Sequence, residues 1–402
     1  MIGQNWKSEI REFRDEKTGH TIRQLTSTGN NVHLYFSENS FDAHKNEIIF
    51  RSDRASGEDK APHENPLYNL FRMDLSSGEM VQLTDETESI GNVTKTPDSH
   101  LVVYVAGNKI RKLDTETGQV LTVYEETRAY NLGAPSISRN RRYIAFCRNE
   151  KVQAARGPNY SGFKDRYYRV KDGRITLAYL DDRPGQAGWI DIHKDTHQLG
   201  HFQFCPDDST LGSFCHEGPW HLVTQRIWLL DFVSGEAWPC FRQTEQDSVG
   251  HEFWTQSCDD QPSRMFFDNR GPGHDGTITS DRTQAVATDV AVKESTMIPF
   301  VGLADRKGNV VRRIDMPYYC NHYHANPDNT VLVGDDVDDL VLIDISGDEA
   351  KLEVLCNHKT SWHTQSSHCH PTWSWDGSRI LYASDQGGRV NLYIVEPWEE
   401  LG

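Results

Sequence analysis

Two short patterns of apolar and polar positions alternate along the chain. In the first, a polar turn precedes a run of aliphatic and aromatic residues, as where Pro97 and Asp98 precede the apolar residues 101–104. Runs of this kind, bounded by turn-forming residues, are typical of β-strands. The pattern occurs seven times, with turns at Asp42, Pro97-Asp98, Arg139-Asn140, Pro206-Asp207, Gln261-Pro262, Pro327-Asp328 and Trp375-Asp376.

The second pattern is an apolar strand that ends in an acidic residue, followed in most copies by a glycine a few residues later. A strand followed by such a turn is typical of a β-hairpin. The pattern also occurs seven times, with acidic residues at Asp74, Asp114, Asp181, Asp231, Asp305, Asp344 and Glu396, and glycines at Gly78, Gly118, Gly185, Gly235, Gly308 and Gly347.

Together the two patterns predict an all-β fold, a seven-bladed β-propeller that forms a single domain over residues 1–402. An open β-sandwich does not explain two interleaved patterns of equal copy number. The acidic residues are separated by 40, 67, 50, 74, 39 and 52 positions. Because a minimal blade needs roughly 40 to 45 residues, the long steps predict loop insertions after Asp114 and Asp231. Insertions on one rim usually build a binding face.

A segment before the first blade repeats the pattern of an outer strand. Residues 15–19 form a turn, and residues 21–25 form the strand that follows it. We expect this strand to close the ring beside residues 380–384 and 392–395 of the last blade, which would cover exposed sheet edges.

Composition and charge narrow the possible partners. The net charge of −17 argues against nucleic acid, because phosphate binding needs clustered Lys and Arg. No segment has the apolar core of a signal peptide or the length of a membrane span, so we expect a cytoplasmic protein without a membrane partner. The 8 cysteines are scattered, without a Cys-x-x-Cys pair, which favours reduced thiols over a disulfide framework.

Histidines are concentrated in the second half of the chain, where 13 of the 18 follow position 190. The inner strands of a propeller line its central channel, so residues distant in sequence can converge there. In the segment from Gln365 to His370, a strand would place His368 and His370 on one face, where they could share a metal ion. An amide oxygen from Gln365 would shift the preference from zinc toward an ion of higher coordination number, such as manganese.

Three further segments could contribute to the same site. His322 and His324 would share one strand face, so spacing alone leaves open which of them is a third imidazole ligand. Arg226 precedes an apolar strand and could bind a carboxylate through its guanidinium. His251 could act as a base that is neutral near pH 7. The expected substrate-binding residues are His201, His216, Arg226 and His324.

The order of these segments resembles the oligogalacturonate lyases. That family has a Cys-His-Glu-Gly-Pro run leading to an Arg, a His-Glu-Phe-Trp run, a His before an Asn-x-Asp turn and Leu-Val-Gly-Asp, and finally Gln-x-x-His-x-His-Pro. This chain carries the motifs at residues 215–219 with Arg226, 251–254, 322–335 and 365–371. The resemblance is strong over residues 199–396 and looser before them.

The resemblance implies a role for each matching residue. His322, rather than His324, would bind the metal together with Gln365, His368 and His370, and the metal in the family is manganese. His251 would be the base and Arg226 its charged partner.

Two stretches depart from the family pattern. Residues 32–36 read Val-His-Leu-Tyr-Phe where the family has His-Arg-Asn before Tyr-Phe, and residues 151–172 also differ. The metal ligands and the base are therefore better supported than the exact sugar.

The implied reaction is β-elimination on short uronate-containing oligosaccharides, such as pectin-derived oligogalacturonides, giving 4,5-unsaturated products. A divalent metal would act as a Lewis acid on the carboxylate, and His251 would remove the C5 proton. The residues leave the general acid and the oligomeric state open. The alternatives are a lyase for another uronide, a non-catalytic propeller of the TolB type and a hydrolase. No Gly-x-Ser-x-Gly elbow supports the hydrolase.

Overall fold

The computed structural model describes residues 2–127, 129–155, 162–181, 188–256, 261–274, 276, 298–317 and 319–398. Within these ranges the strands form seven separate antiparallel sheets, which are the blades of a β-propeller. The predicted all-β fold with seven blades is therefore confirmed. The assignment of residues 1–402 to a single domain stays a prediction.

Four or five strands build each blade. In chain order the strands are β1 (Asn5–Trp6), β2 (Arg11–Arg14), β3 (Thr21–Gln24), β4 (Asn31–Val32), β5 (Glu47–Ser52), β6 (Asn69–Asp74), β7 (Met80–Gln82), β8 (Ile90–Lys95), β9 (Leu101–Ala106), β10 (Lys109–Asp114), β11 (Val120–Glu125), β12 (Tyr130–Ile137), β13 (Tyr143–Glu150), β14 (Gly173–Tyr179), β15 (Trp189–Asp195), β16 (Leu199–Cys205), β17 (Asp208–His216), β18 (Ile227–Asp231), β19 (Glu236–Pro239), β20 (Val249–Trp254), β21 (Met265–Asn269), β22 (Phe300–Ala304), β23 (Val310–Asp315), β24 (Tyr323–Ala325), β25 (Val331–Asp335), β26 (Asp339–Asp344), β27 (Lys351–Asn357), β28 (Thr372–Trp373), β29 (Ile380–Ser384) and β30 (Asn391–Val395).

One edge strand of each blade is the inner strand that faces the channel. The seven inner strands are β4, β8, β12, β16, β20, β24 and β28, and neighbouring ones such as β12 and β16 pack against each other. The helices among the described residues are α1 (Phe163–Arg169) and three 3₁₀ turns, Pro62–Glu64, Trp220–Leu222 and Gln365–Ser367. None of the described helices has both the length and the apolar character needed to cross a membrane.

The recurring Asp and Gly form the hairpin turns that lead to the outer strands. At the end of β6, Asp74 Oδ1 accepts hydrogen bonds from the backbone N–H groups of Ser76 and Ser77. Gly78 adopts φ 75° and donates its N–H to the Asp74 carbonyl. Because Asp binds turn backbone and Gly tolerates positive φ, this pair specifies the turn. Asp114 and Asp231 make the same contacts. Gly185 lies outside the described residues.

Closure of the ring follows the prediction. Strand β3 pairs with β30, with Ile22 opposite Val395, so the last blade has the order β2-β3-β30-β29-β28. An addition that the sequence patterns did not predict is β1, which pairs with β7 and extends the first blade.

The hydrophobic core lies between adjacent blades. One buried cluster joins Phe50 and Phe71 of the first blade to Leu381 and Leu392 of the last. Each blade therefore stabilises its two neighbours, and the inner strands are held at fixed positions around the channel.

The predicted insertions fall between β13 and β14 and between β21 and β22. The residues between β13 and β14 include α1, whose Phe163 and Arg166 line a cavity in the channel, as expected for an insertion that builds a binding face. Between β21 and β22, residues 277–297 lie outside the described part of the chain.

Candidate metal centre and catalytic cleft

A cleft opens at the channel mouth and continues into an inner cavity. The cleft has a volume of about 730 Å³, and the cavity of about 380 Å³. Five residues line both, so the two spaces adjoin. The shared residues are Tyr35, Arg166, His201, Glu217 and Gln365.

Irregular inner strands bring histidines to this mouth. The pairing of β16 with β17 shifts register after Gly200, and that of β20 with β21 shifts after Gly250. The next residues, His201 and His251, adopt φ 51° and 46°. Because a bulge re-aims the side chains around it, equivalent irregularities in neighbouring blades turn both imidazoles toward the site.

Three buried histidines from two blades meet beside this cavity. One ring nitrogen from each of His322, His368 and His370 lies within 4.8 Å of the others. The ring centroids of His322 and His370 are 4.3 Å apart. The predicted meeting of these three side chains is therefore present in the structure.

The chemistry of the three rings fits a divalent metal. Both ring nitrogens of His368 and Nε2 of His370 are buried and find no hydrogen-bond partner among the described residues. Burial lowers the pKa of His322 and of His368 to about 3, so both rings are neutral lone-pair donors. Buried polar atoms rarely stay unsatisfied, and a metal ion would satisfy them.

Asp335 orients His322. Its Oδ2 lies 2.9 Å from Nδ1 of His322, and the backbone N–H of His322 also donates to Asp335. A carboxylate that binds one ring nitrogen leaves the other, Nε2, for a metal ion. Asp335 is the last residue of the Leu-Val-Gly-Asp run, so the motif contained this residue although its role was not recognised.

The local conformation around His368 and His370 differs from the expected strand. Gln365–Ser367 form a 3₁₀ turn, and His370 adopts φ 45° ahead of β28. The two rings are therefore brought together by a turn and a left-handed residue, not by strand alternation. His33 supports this segment, since its Nε2 lies 3.0 Å from the Cys369 carbonyl oxygen.

Gln365 lies at the rim of this group. It is exposed, and it lines both the cleft and the inner cavity. Its place as a fourth ligand stays a prediction.

His251 is next to the histidine group. Its ring centroid is 4.7 Å from that of His322, and it lines the inner cavity. Burial, followed by the positive charges around it, holds the pKa of His251 well below its usual value. Its Nδ1 lies 3.1 Å from Arg270 Nη2 and 3.5 Å from Asp268 Oδ1. His251 is therefore a neutral imidazole at physiological pH.

Arg226 and His201 share one carboxylate in the inner cavity, that of Glu217. Glu217 Oε1 is 3.0 Å from His201 Nε2, and Glu217 Oε2 is 3.6 Å from Arg226 Nη2. Burial disfavours charge on Glu217, but the charges of Arg226 and His201 outweigh it and lower the pKa of the carboxyl. Arg226 also lies over the Trp220 ring, with Cζ 5.4 Å from the centroid. Arg226, His201 and His251 thus face the same cavity.

His216 is not brought to the cleft. Its Nε2 lies 3.1 Å from Asp195 Oδ2 on outer strand β15, and it is absent from the residues that line the two described spaces. Adjacent strand residues point to opposite faces, so Glu217 faces the cleft and His216 faces away. Its position gives no support to the predicted substrate-binding role.

His216, Asp195 and His197 form a second group with metal-ligand atoms close together. The rings of His197 and His216 are stacked at 4.3 Å and lie 8° from parallel. Ring lone pairs lie in the ring planes, so stacked rings cannot both aim at one ion. This group is a hydrogen-bonded cluster around a carboxylate.

His324 also lies away from the cleft. Its Nδ1 accepts a hydrogen bond from the backbone N–H of Trp373 at 3.1 Å, and its ring stacks on Phe253. Burial lowers the pKa of His324 to about 3. These contacts join three inner strands, β20, β24 and β28, so the position does not support the substrate-binding prediction.

Several residues of the site had no predicted role in the elimination, although Glu217 and Glu252 were the candidate carboxylates for a glycosidase. They are Tyr35, Glu217, Glu252, Asp268, Arg270 and Asp335. Glu217 and Glu252 each follow a predicted site histidine in sequence, so their position beside those histidines could have indicated that they belong to the site. Asp268 and Arg270 lie in and just after β21, where no pattern marked them.

The fold and the site define a class, that of a β-propeller with a histidine-rich, metal-capable cleft at its channel mouth. The comparisons specify it further. The family model described as oligogalacturonate lyase matches residues 3–264, more than half of the chain. The chain therefore belongs to the oligogalacturonate lyase family.

Individual relatives support this assignment over the whole chain. An oligogalacturonate lyase from Dickeya dadantii is 24% identical, covering 98% of this chain and 97% of that protein. An oligogalacturonide lyase from Pectobacterium atrosepticum is 23% identical, covering 96% and 95%. A solved oligogalacturonate lyase in complex with manganese superposes with a TM-score of 0.80 at 21% identity, covering 99% of this chain and 100% of that chain. The resemblance thus extends well before residue 199.

Proposed function

We propose that this protein cleaves short oligosaccharides of uronic acids, with oligogalacturonides as the first candidates, by metal-assisted β-elimination. The observation that carries the proposal is the meeting of three buried imidazoles with His251 and Arg226 at one cavity. Family membership supports the same activity. A non-catalytic propeller would have no use for neutral histidines with unsatisfied nitrogens at its channel mouth.

His322, His368 and His370 would hold the divalent ion, with Gln365 as the proposed fourth ligand. Manganese is the first candidate, since it is present in the similar solved lyase. When bound, a divalent ion supplies Lewis-acid stabilisation of the negative charge that develops on the uronate carboxylate. The neutral state of the buried rings favours this binding over proton binding.

His251 would take the C5 proton of the uronate. Its Nδ1 is directed toward Asp268 and Arg270, which leaves Nε2 for the substrate. A guanidinium only donates, so the contact with Arg270 places the proton of the neutral ring on Nε2. Proton abstraction through Nε2 needs the other tautomer, with Nδ1–H directed to Asp268 Oδ1, which has no hydrogen-bond partner among the described residues. Asp268 would thus prepare His251 as a base.

Arg226 would bind a substrate carboxylate. It is 3% exposed, and the charges of Glu217 and Glu252 keep it protonated against the effect of burial. Held by Glu217 and Trp220, its guanidinium is fixed before the substrate arrives, which lowers the entropy cost of binding.

The direct test is product formation by purified protein and by the His251→Ala variant. Incubation with digalacturonate should give an unsaturated product that absorbs in the ultraviolet, because the new C4–C5 double bond is conjugated with the carboxylate. Loss of a general base should reduce the rate by roughly 10²–10⁴-fold. Metal content should stay unchanged, since His251 is not among the proposed ligands.

His193→Asn is the control, because His193 is likewise a histidine beside a carboxylate, with Nε2 3.7 Å from Asp195 Oδ2, but is half-buried and lies outside the cleft. It should keep full activity. A saturated product would contradict elimination, and unchanged activity of the His251→Ala variant would remove this residue from the base role.

The same assay with different sugars identifies the uronide that the protein cleaves. We propose oligogalacturonides, and a parallel reaction with glucuronate disaccharides decides between them and another uronide. We also propose that the reaction takes place in the cytoplasm. The described cysteines are free and buried, which agrees with a reducing compartment.

A further inference from the structure

His201 occupies the junction of the cleft and the inner cavity. It lies in inner strand β16, lines both spaces, and its side chain is 27% exposed. Its ring centroid lies 5.8 Å from that of Tyr35, and the two rings are nearly perpendicular. A ligand that passes from the cleft toward His251 therefore comes within reach of this imidazole.

Two glutamates, the half-buried Glu217 and the buried Glu252, flank the ring. Glu217 Oε1 is 3.0 Å from Nε2, and Glu252 Oε1 is 3.6 Å from Nδ1. Glu252 is fully buried, and its two oxygens find no hydrogen-bond partner among the residues described. Gly200 leaves the room that this arrangement needs, since a Cβ at that position would lie 2.5 Å from Glu217 Oε1.

The charged groups that face His201 favour its protonated form on balance. Burial and the charge of Arg226 oppose protonation, but the charge and hydrogen bond of Glu217 and the charge of Glu252 outweigh them, so the pKa of His201 is raised. A protonated imidazole at the cavity that also holds the proposed base can serve as a general acid.

We propose that His201 is the general acid that protonates the departing glycosidic oxygen, an inference that rests on the proposed elimination. Nε2–H is committed to Glu217, whereas Nδ1 lies 3.6 Å from Glu252, too far for a hydrogen bond, so its N–H remains for a ligand oxygen. His201 is a catalytic residue in this account because it contacts the leaving oxygen.

The step balances without an oxidant or reductant. The C5–H bond breaks and its proton goes to His251, while its electron pair forms the C4–C5 double bond. The C4–O4 bond breaks, its electron pair stays on O4, and O4 takes the proton from His201. His251 then releases one proton to water, and His201 takes one up.

The test compares two leaving groups in the His201→Asn variant. Asparagine tolerates the left-handed backbone found here, φ 51°, so the strand geometry is kept. With digalacturonate, whose sugar oxygen needs a proton to leave, the rate should fall by roughly 10²–10⁴-fold. With a synthetic uronate that carries 4-nitrophenol on O4, a leaving group that departs without a proton, the rate should stay within a few-fold of wild type.

An equal loss on both substrates, or retained activity on digalacturonate, would overturn the proposal. The Tyr35→Phe variant tests a second acid, whose ring centroid lies 5.8 Å from that of His201. A loss that is selective for the sugar leaving group in Tyr35→Phe, but not in His201→Asn, would also overturn the proposal. Failure of the proposed function gives a different result, namely no unsaturated product from wild type with either substrate. His193→Asn is the control and should match wild type on both.

A pH profile gives a second, independent readout. Activity of wild type on digalacturonate should fall on the alkaline side as His201 loses its proton. The Glu252→Gln variant keeps the side-chain shape but removes a negative charge beside His201, so this alkaline limb should move to lower pH. A limb that does not move would contradict the role of His201.

Discussion

Asp335 shows how a single residue outside the ligand set controls the site. It binds both the backbone N–H and Nδ1 of His322, and it is fully buried. In the Asp335→Asn variant the amide oxygen can still accept one bond, but the ring orientation is less fixed. Metal affinity should fall by roughly 10–100-fold. Titration calorimetry with Mn²⁺ checks this, and an unchanged dissociation constant would contradict the orienting role of Asp335.

Asp268 would orient the proposed base, His251, as Asp335 orients His322. Replacement by Asn removes the carboxylate that would accept Nδ1–H from His251 and leaves the tautomer set by Arg270. The turnover number should fall by roughly 10²-fold or more, as expected when a base is held in the wrong tautomer. Metal content should not change. The measurement is kcat and bound metal on the same sample, and joint loss of both would indicate a structural role instead.

At the scale of single elements, irregular segments matter more than regular strands. Register shifts in β16 and β20 place His201 and His251, and a 3₁₀ turn ahead of β28 places His368 and His370. Sequence periodicity predicts which segments are strands, but a bulge depends on pairing with a neighbouring strand. For this reason the meeting of His368 and His370 was predicted, whereas the conformation that produces it was not.

Strand β3 is the element that closes the ring. Ile22 is 1% exposed and packs in a cluster with Val333, Tyr393 and Val395. The Ile22→Ala variant should lower the free energy of unfolding by about 2–5 kcal/mol, measured by chemical denaturation. Arg11→Ala on the exposed β2 is the control and should change it by less than about 0.5 kcal/mol. Equal stability of the two variants would contradict a closing role for β3.

At the scale of the whole molecule, the repeat of turns and strands was sufficient to predict the fold. A hairpin Asp and Gly such as Asp74 and Gly78 act locally, through bonds within their own turn, so their role can be predicted without the rest of the chain. The convergence of side chains at the channel cannot be predicted from single turns in this way, because it depends on the order and closure of the blades.

The part of the candidate site that the family motifs contain could be predicted from the sequence. The side-chain directions of the other histidines could not, because they depend on contacts with neighbouring strands. His322, His368 and His370 meet as expected, whereas His216 and His324 face other neighbours. Their strand positions alone could not show whether each faced the channel.

The most direct test of the account is metal-dependent turnover in the whole protein. Protein stripped with a chelator should lose formation of the unsaturated product and regain it as Mn²⁺ is added, with one ion bound per chain. The His368→Ala, His370→Ala double variant should neither bind the ion nor recover activity. Full activity of metal-free protein, or recovery by the double variant, would contradict the claim that these histidines from two blades hold the ion on which elimination depends.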